Sequence, residues 1–274
     1  MTSVGIVTGA ASGIGAACAQ RLAGTVDVLL LADVNAAAVN ANAAALAGTG
    51  VTCEAVVVDF TDGDAVRHLA DRAEAAGALC RVAHVAGISP TMAGWRRVLD
   101  VDLVGTARLI DALRPLAVRD TAIVCFASMA AYLGVQVNEA ADAALDDPLA
   151  EGFFDAYAAA VGETTPDPGI AYAWAKRGVQ RLVRREAPAF GAVGARICSV
   201  SPGMIDTPMG RQEYEQQPMM KVLEDMTPLR RVGHADELAA VVNFLLSDEA
   251  SFVTGVDVLV DGGAVAAVGA LGPT

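Results

Sequence analysis

The sequence predicts an α/β fold: a Rossmann-type, doubly wound parallel sheet of seven strands with helices on both faces. Three observations carry that prediction. Short β-branched runs alternate with Ala-rich helical stretches along the 274 residues. The runs are continuously apolar, as strands buried on both faces must be. The first run leads straight into a glycine-rich turn, residues 8–15 (TGAASGIG), and then a helix. Such alternation builds βαβ units with right-handed crossovers.

The strand candidates, in order, are VGIVT at 4–8, VDVLLLA at 26–32, VTCEAVVV at 51–58, CRVAHVA at 80–86, AIVCFAS at 122–128, ARICSVS at 195–201 and VDVLVDG at 256–262. Helical candidates fall at 13–23, 36–47, 64–76, 92–116, 172–189 and 235–247. Residues 136–169 break the rhythm, because connections in such folds usually run about 2–6 residues. Two short helices are expected there, near 138–145 and 149–162. In the second, Phe153, Tyr157 and Val161 recur at four-residue spacing, with Phe154 and Ala158 alongside, giving one apolar face. The expectation is a single domain over 1–274 with a lid-like insertion at 136–169. Its apolar face would dock the insertion onto the body and wall a site.

Composition narrows the function. With 54% hydrophobic and 19% charged residues, the chain can bury a sizeable core. A net charge of −13 argues against a nucleic-acid partner. Eight of those thirteen charges come from the insertion, which has no Lys or Arg; the other 240 residues carry −5. No run reaches the roughly 18 apolar residues of a membrane span. The first ten residues, MTSVGIVTGA, lack the pattern of a secretory signal. Cys18, Cys53, Cys80, Cys125 and Cys198 are far apart and read as buried, reduced thiols of a cytoplasmic protein. The three histidines are scattered, so no metal site is expected.

The glycine turn has the form of a phosphate cradle. Gly9 permits the tight turn, Gly13 lets backbone approach a pyrophosphate, and Gly15 allows close helix–strand packing. With Ser12 and Ile14, these residues present the N–H groups and positive end of the following helix. Asp33 ends the second strand, where a carboxylate can bond both ribose hydroxyls of adenosine and repel a 2′-phosphate. No Arg or Lys follows at 34 or 35, which favours NAD over NADP. Asp59, followed by Phe60, is placed either to reach the adenine amino group or to begin a turn. Tyr172 and Lys176 lie four apart on one helix face. An ammonium there favours the phenolate, lowering a phenol pKa of about 10 toward working pH.

These residues resemble the short-chain dehydrogenase/reductase family. The likeness spans nearly the whole chain: TGAASGIG at 8–15, Asp33, Asp59, Ala86-Gly87, Ser128, YAWAK at 172–176, SPGMIDTP at 201–208, PLRRVG at 228–233 and VTGVDVLVDGG at 253–263. The resemblance implies that Tyr172 is the general acid/base, that Lys176 tunes it and holds the nicotinamide ribose, and that Ser128 orients the substrate oxygen. It implies that Ile205 and Thr207, after Pro202-Gly203, bind the carboxamide, and that Ala86 and Gly87 line the cofactor cleft. It also implies a homo-dimer or homo-tetramer. Two departures stand out. His84-Val85 replaces the usual Asn-Asn, and His84 reads as a structural histidine. Asp102 replaces the Asn whose main-chain carbonyl holds a water in the family's proton relay. Asp102 keeps that carbonyl and so remains the fourth catalytic candidate. The 44 positions from Ser128 to Tyr172 resemble the bacterial 3α-hydroxysteroid dehydrogenase/carbonyl reductase branch. That implies a bulky apolar alcohol or ketone, for which Met204, Met209, Met219, Met220 and Met226 offer adaptable surface. Another small carbonyl or sugar, or a non-catalytic NAD(H) sensor, are the competing readings.

Overall fold

A computed structural model describes residues 1–48, 50–136 and 138–270; Val137 of the predicted insertion lies outside the described residues. Seven strands form one parallel sheet: β1 (Ser3–Thr8), β2 (Val28–Asp33), β3 (Thr52–Val57), β4 (Ala78–His84), β5 (Ala122–Phe126), β6 (Arg196–Pro202) and, at the far edge, Asp257–Val260. The spatial order is β3-β2-β1-β4-β5-β6 and then that edge strand. Every neighbouring pair is parallel, and all seven predicted runs are present. The order reverses between β1 and β4. Carboxyl ends of strands at such a switch point form the ligand crevice of open α/β sheets.

Helices α1 (Gly13–Leu22) and α2 (Ala36–Leu46) cover one face, with the later helix Ala235–Leu246. Val7, Leu29, Leu31 and Val124 pack there against Leu22, Val39 and Val242. The other face carries α3 (Gly63–Ala76), α4 (Trp95–Leu99), α5 (Gly105–Leu113) and, after the insertion, the long helix Pro168–Ala192. Ile6, Val82, Ile123 and Ile197 meet Leu69, Leu103, Ile110 and Val179 on that side. Caps follow the sequence: Asp62 accepts from the N–H groups of Asp64 and Ala65 at the start of α3.

The single helix expected over 92–116 is four segments, the last a 3-10 turn at Arg114–Leu116. Between α4 and α5, residues Asp100–Val104 wind as a π-turn, in which the Gly105 N–H reaches back to the Asp100 carbonyl. Gly105 suits that spot because Phe60 lies against it; a Cβ there would sit 2.9 Å from the Phe60 Cβ.

The insertion holds α6 (Ala130–Leu133) at its entrance, then α7 (Glu139–Leu145) and α8 (Phe153–Val161), leading into α9 (Pro168–Ala192). Its apolar face turns inward, but onto α4 and α9. Tyr157 is fully buried and stacks on Trp95 at 5.8 Å, with Phe154 edge-on to the same indole. Asp142 and Asp146 hold Arg177 and Arg181 of α9 in two-pronged pairs at 2.6–2.8 Å. Among the described residues, none between 138 and 168 lines the main cavity. Gly169, at the end of the expected lid, does line it; the aromatic face, Asp142 and Asp146 pack and pair with the body.

Beyond α9 the chain runs through β6 to a small parallel pair, β7 (Ile205–Asp206) with β8 (Gly233–His234). These flank α10 (Pro208–Gln216) and α11 (Met219–Met226), which overhang the crevice. Then come α12 (Ala235–Leu246), the edge strand β9 (Asp257–Val260) and α13 (Ala264–Gly269).

Candidate active site

A cavity of about 560 Å³ opens at the carboxyl ends of β1, β4 and β5. Its floor at one end is the glycine turn. Gly9 has φ +63°, and a Cβ there would lie 2.9 Å from the Ala86 nitrogen. Only glycine lets the two strand ends come so close. Ser12 makes no capping bond to α1, so its hydroxyl and the first N–H groups of Gly13, Ile14 and Gly15 are left for a ligand. Asp33 braces this turn, accepting from Ala11 N–H at 2.9 Å through one oxygen and from Asn35 N–H at 2.9 Å through the other. A carboxylate has about four acceptor positions, so these two bonds leave capacity on Asp33, which lines the cavity. Pro202, Gly203, Ile205 and Thr207 form the facing wall. Thr207 caps α10 by accepting from Gly210 N–H at 3.0 Å.

At the other end Ser128, Tyr172 and Lys176 converge on the cavity, as do Ala86 and Gly87. The Lys176 ammonium sits 5.4 Å from the Tyr172 ring centroid and donates to the Phe126 carbonyl at 3.3 Å. Asp102 lies directly beneath, fully buried on the π-turn, with Oδ2 3.7 Å from Lys176 Nζ. Its Oδ1 accepts the Ile88 N–H at 2.8 Å, while Oδ2 has no hydrogen-bond partner. Gly87 makes room for this pair: a Cβ there would stand 2.8 Å from Asp102 Oδ1 and 3.2 Å from Lys176 Nζ. Burial pushes the Asp102 carboxyl up, opposed by Lys176 and the Ile88 N–H.

The Tyr172 phenol does not move as the Tyr/Lys spacing predicts. It is held above its ordinary value, by burial first and then by the charges of Asp102 and Glu213, with a Ser128 hydrogen bond partly offsetting them.

His84 is fully buried and hydrogen-bonded at both ring nitrogens, to Thr8 at 2.8 Å and Thr106 at 3.0 Å. The partners fix its tautomer. Thr106 gives its hydroxyl proton to the Asp102 carbonyl at 2.7 Å, so it accepts from His84 Nε2–H. Thr8 accepts the Ala86 N–H at 3.0 Å and gives its own proton to His84 Nδ1. One directed chain thus runs from Ala86, at the cavity wall, to the Asp102 carbonyl. Burial, then Lys176, lowers the imidazole pKa to about 3, which keeps it neutral.

Two further candidates, Asp59 and Phe60, are not among the described residues lining this cavity. Asp59 accepts from the Thr61 N–H and hydroxyl and from Arg97, 2.9 Å away. Phe60 is buried edge-on to His84 at 5.2 Å. Conversely, Glu213 of α10 lines the cavity without any ion-pair partner among the described residues, and burial raises its carboxyl. A lone Glu in a polar helix carries no sequence signal for that position. Met129, Met204 and Met220 gather in one buried cluster beside it, and Met209 lines the same space.

Comparison with known proteins agrees with this geometry. The family described as "Enoyl-(Acyl carrier protein) reductase" matches residues 9–145 and 155–265, leaving out only part of the insertion inside that span. The chain is 34% identical to a cis-4-hydroxycyclohexanecarboxylate dehydrogenase of Sinomonas cyclohexanicum, covering 95% of each. It is 28% identical to a 3-alpha-hydroxysteroid dehydrogenase/carbonyl reductase of Comamonas testosteroni, over 95% of this chain and 96% of that one. A solved short-chain type dehydrogenase/reductase from Mycobacterium ulcerans superimposes with TM-score 0.76 at 25% identity, over 97% of this chain and 90% of that one. The chain belongs to the short-chain dehydrogenase/reductase family, oxidoreductases that use a nicotinamide dinucleotide. The cradle at Gly9, the free helix N-terminus and Asp33 at the far end fit such a group.

Proposed function

We propose that this protein is an NAD(H)-dependent oxidoreductase interconverting a secondary alcohol and a ketone. The observation that carries the reading is the convergence of Ser128, Tyr172 and Lys176 on one end of a cavity whose other end is the Gly9–Gly15 turn with Asp33. When bound, the nicotinamide supplies or accepts the hydride. The chain's own residues do the rest. Ser128 orients the substrate oxygen. Tyr172 gives a proton to the carbonyl oxygen in reduction and takes it back from the carbinol in oxidation. Lys176 would hold the nicotinamide ribose beside them, and Ile205 and Thr207 the carboxamide.

Asp33 supports NAD over NADP. A carboxylate at the end of the second strand would repel a 2′-phosphate, and Val34 and Asn35 beside it offer no cation. The thioether cluster and Leu133 and Leu223 support a bulky apolar substrate such as a hydroxysteroid. Glu213 favours the second reading, a sugar or other hydroxylated carbonyl, because a carboxylate without a cation partner suits a hydrogen-bond donor. The test is oxidation of NADH and NADPH against steroid, cyclic and hydroxylated ketones. Turnover with NADH and an apolar ketone is expected. Comparable rates with NADPH would sink the cofactor assignment, and turnover of hydroxylated ketones alone would favour the second reading.

A further inference from the structure

We propose that the Asp102 side chain, acting through Lys176, sets the pH at which Tyr172 exchanges its proton, and so biases the site toward proton delivery at neutral pH. Asp102 is a positioning residue here, and the idea rests on Tyr172 being the acid/base.

Three observations carry it. The Asp102 main-chain carbonyl accepts the Thr106 hydroxyl at 2.7 Å, which itself accepts from His84. One of its two lone pairs is thus taken by protein. What Asp102 presents to Lys176 instead is a fully buried carboxylate oxygen with no hydrogen-bond partner, 3.7 Å from the ammonium. Finally, the same Lys176 ammonium stands 5.4 Å from the Tyr172 ring centroid.

An ammonium beside a phenol favours the phenolate, whereas an ammonium neutralised by a buried carboxylate offers the phenol little net charge. The remaining groups do not restore a positive field. From β4, His84 is neutral. From β5, the Cys125 thiol is pushed up to about 12 and stays protonated, and Ser128 is uncharged. From α10, Glu213 adds negative charge. An amide at 102 would leave Lys176 uncompensated and stabilise the phenolate. The alcohol-oxidising direction, which needs phenolate, therefore works at higher pH in this protein than in its Asp102→Asn variant.

The experiment needs neither substrate nor cofactor. Phenolate absorbance is titrated in the unliganded protein, and the Tyr172→Phe titration is subtracted to isolate Tyr172. In the wild type, Tyr172 is expected to titrate at or above the ordinary phenol value of about 10. In Asp102→Asn its midpoint falls by about one unit or more. The structural control Thr106→Val disturbs the same turn without changing charge, and leaves the midpoint in place. A wild-type midpoint well below that of free tyrosine overturns the proposal, even if Asp102→Asn does not fold. So does an unchanged midpoint in Asp102→Asn, or an equal shift in Thr106→Val. In the loaded enzyme, the acid limb of alcohol oxidation should move down by the same amount in Asp102→Asn. Lack of any turnover alongside the expected titrations would count against the enzymatic reading and not against the Asp102 effect.

Discussion

At the residue scale, the informative groups are buried ones whose partners can be counted. His84 is the clearest. Its folded pKa of about 3 lies below the ordinary value of 6.5, so between those values only the unfolded chain takes up the proton. Stability from this site is complete above about pH 6.5 and is lost as the pH falls toward the folded value. Asp142 works in the same direction, since hydrogen bonds from Arg177 hold its carboxyl below the usual range. Equilibrium denaturation should therefore show falling stability on acidification, with a shallower slope in His84→Gln; an unchanged slope would contradict the neutral-imidazole assignment. Tyr157 makes the opposite kind of prediction. Its hydroxyl is buried without a hydrogen-bond partner, so Tyr157→Phe removes an unsatisfied group and should be neutral or stabilising by roughly 1 kcal/mol. A clear loss in denaturant midpoint would refute that.

At the element scale, periodicity named the faces and missed what they face. The spacing of Phe153, Tyr157 and Val161 correctly announced an apolar stripe, yet a stripe does not say which surface it covers. Trp95 and the Arg177 and Arg181 guanidiniums decide that, and they lie far away in sequence. Likewise the run 92–116 has helical spacing throughout, and nothing in it marks the π-turn at Asp100–Val104. That turn follows from a tertiary fit, with Gly105 against Phe60. Because Asp142 pairs with Arg177 of α9 and is not among the described residues lining the cavity, Asp142→Ala should cost about 1–2 kcal/mol of stability, less in high salt, since the pair is partly solvated. It should leave kcat/KM within about twofold; a large loss of kcat/KM in a folded variant would mean the insertion reaches the site after all.

At the scale of the whole molecule, the fold was legible because seven strands buried on both faces leave an unmistakable apolar signature. That the glycine turn, Asp33, Ser128, Tyr172 and Lys176 share one cavity follows from their places at strand ends or on one helix face. The Asp59–Arg97 pair, the Phe60–His84 contact and the entry of Glu213 into the cavity depend on tertiary fits that local sequence does not carry. The acidity also reads differently in three dimensions. Several insertion carboxylates neutralise arginines of the body, so the net charge is no guide to a partner. We expect a homo-oligomer; sedimentation at 27.9 kDa alone would contradict that.

The central claim is that Tyr172 is the proton-transferring group of a ketone-reducing, NADH-binding site. It is tested most directly by kcat/KM for NADH-dependent ketone reduction in wild type and Tyr172→Phe, with NADH affinity measured in both. The account predicts turnover by the wild type, equal NADH binding by the two proteins, and a loss of about 10²–10⁴-fold in the variant. Equal turnover by Tyr172→Phe, or tight NADH binding with no turnover of any ketone by the wild type, would contradict it.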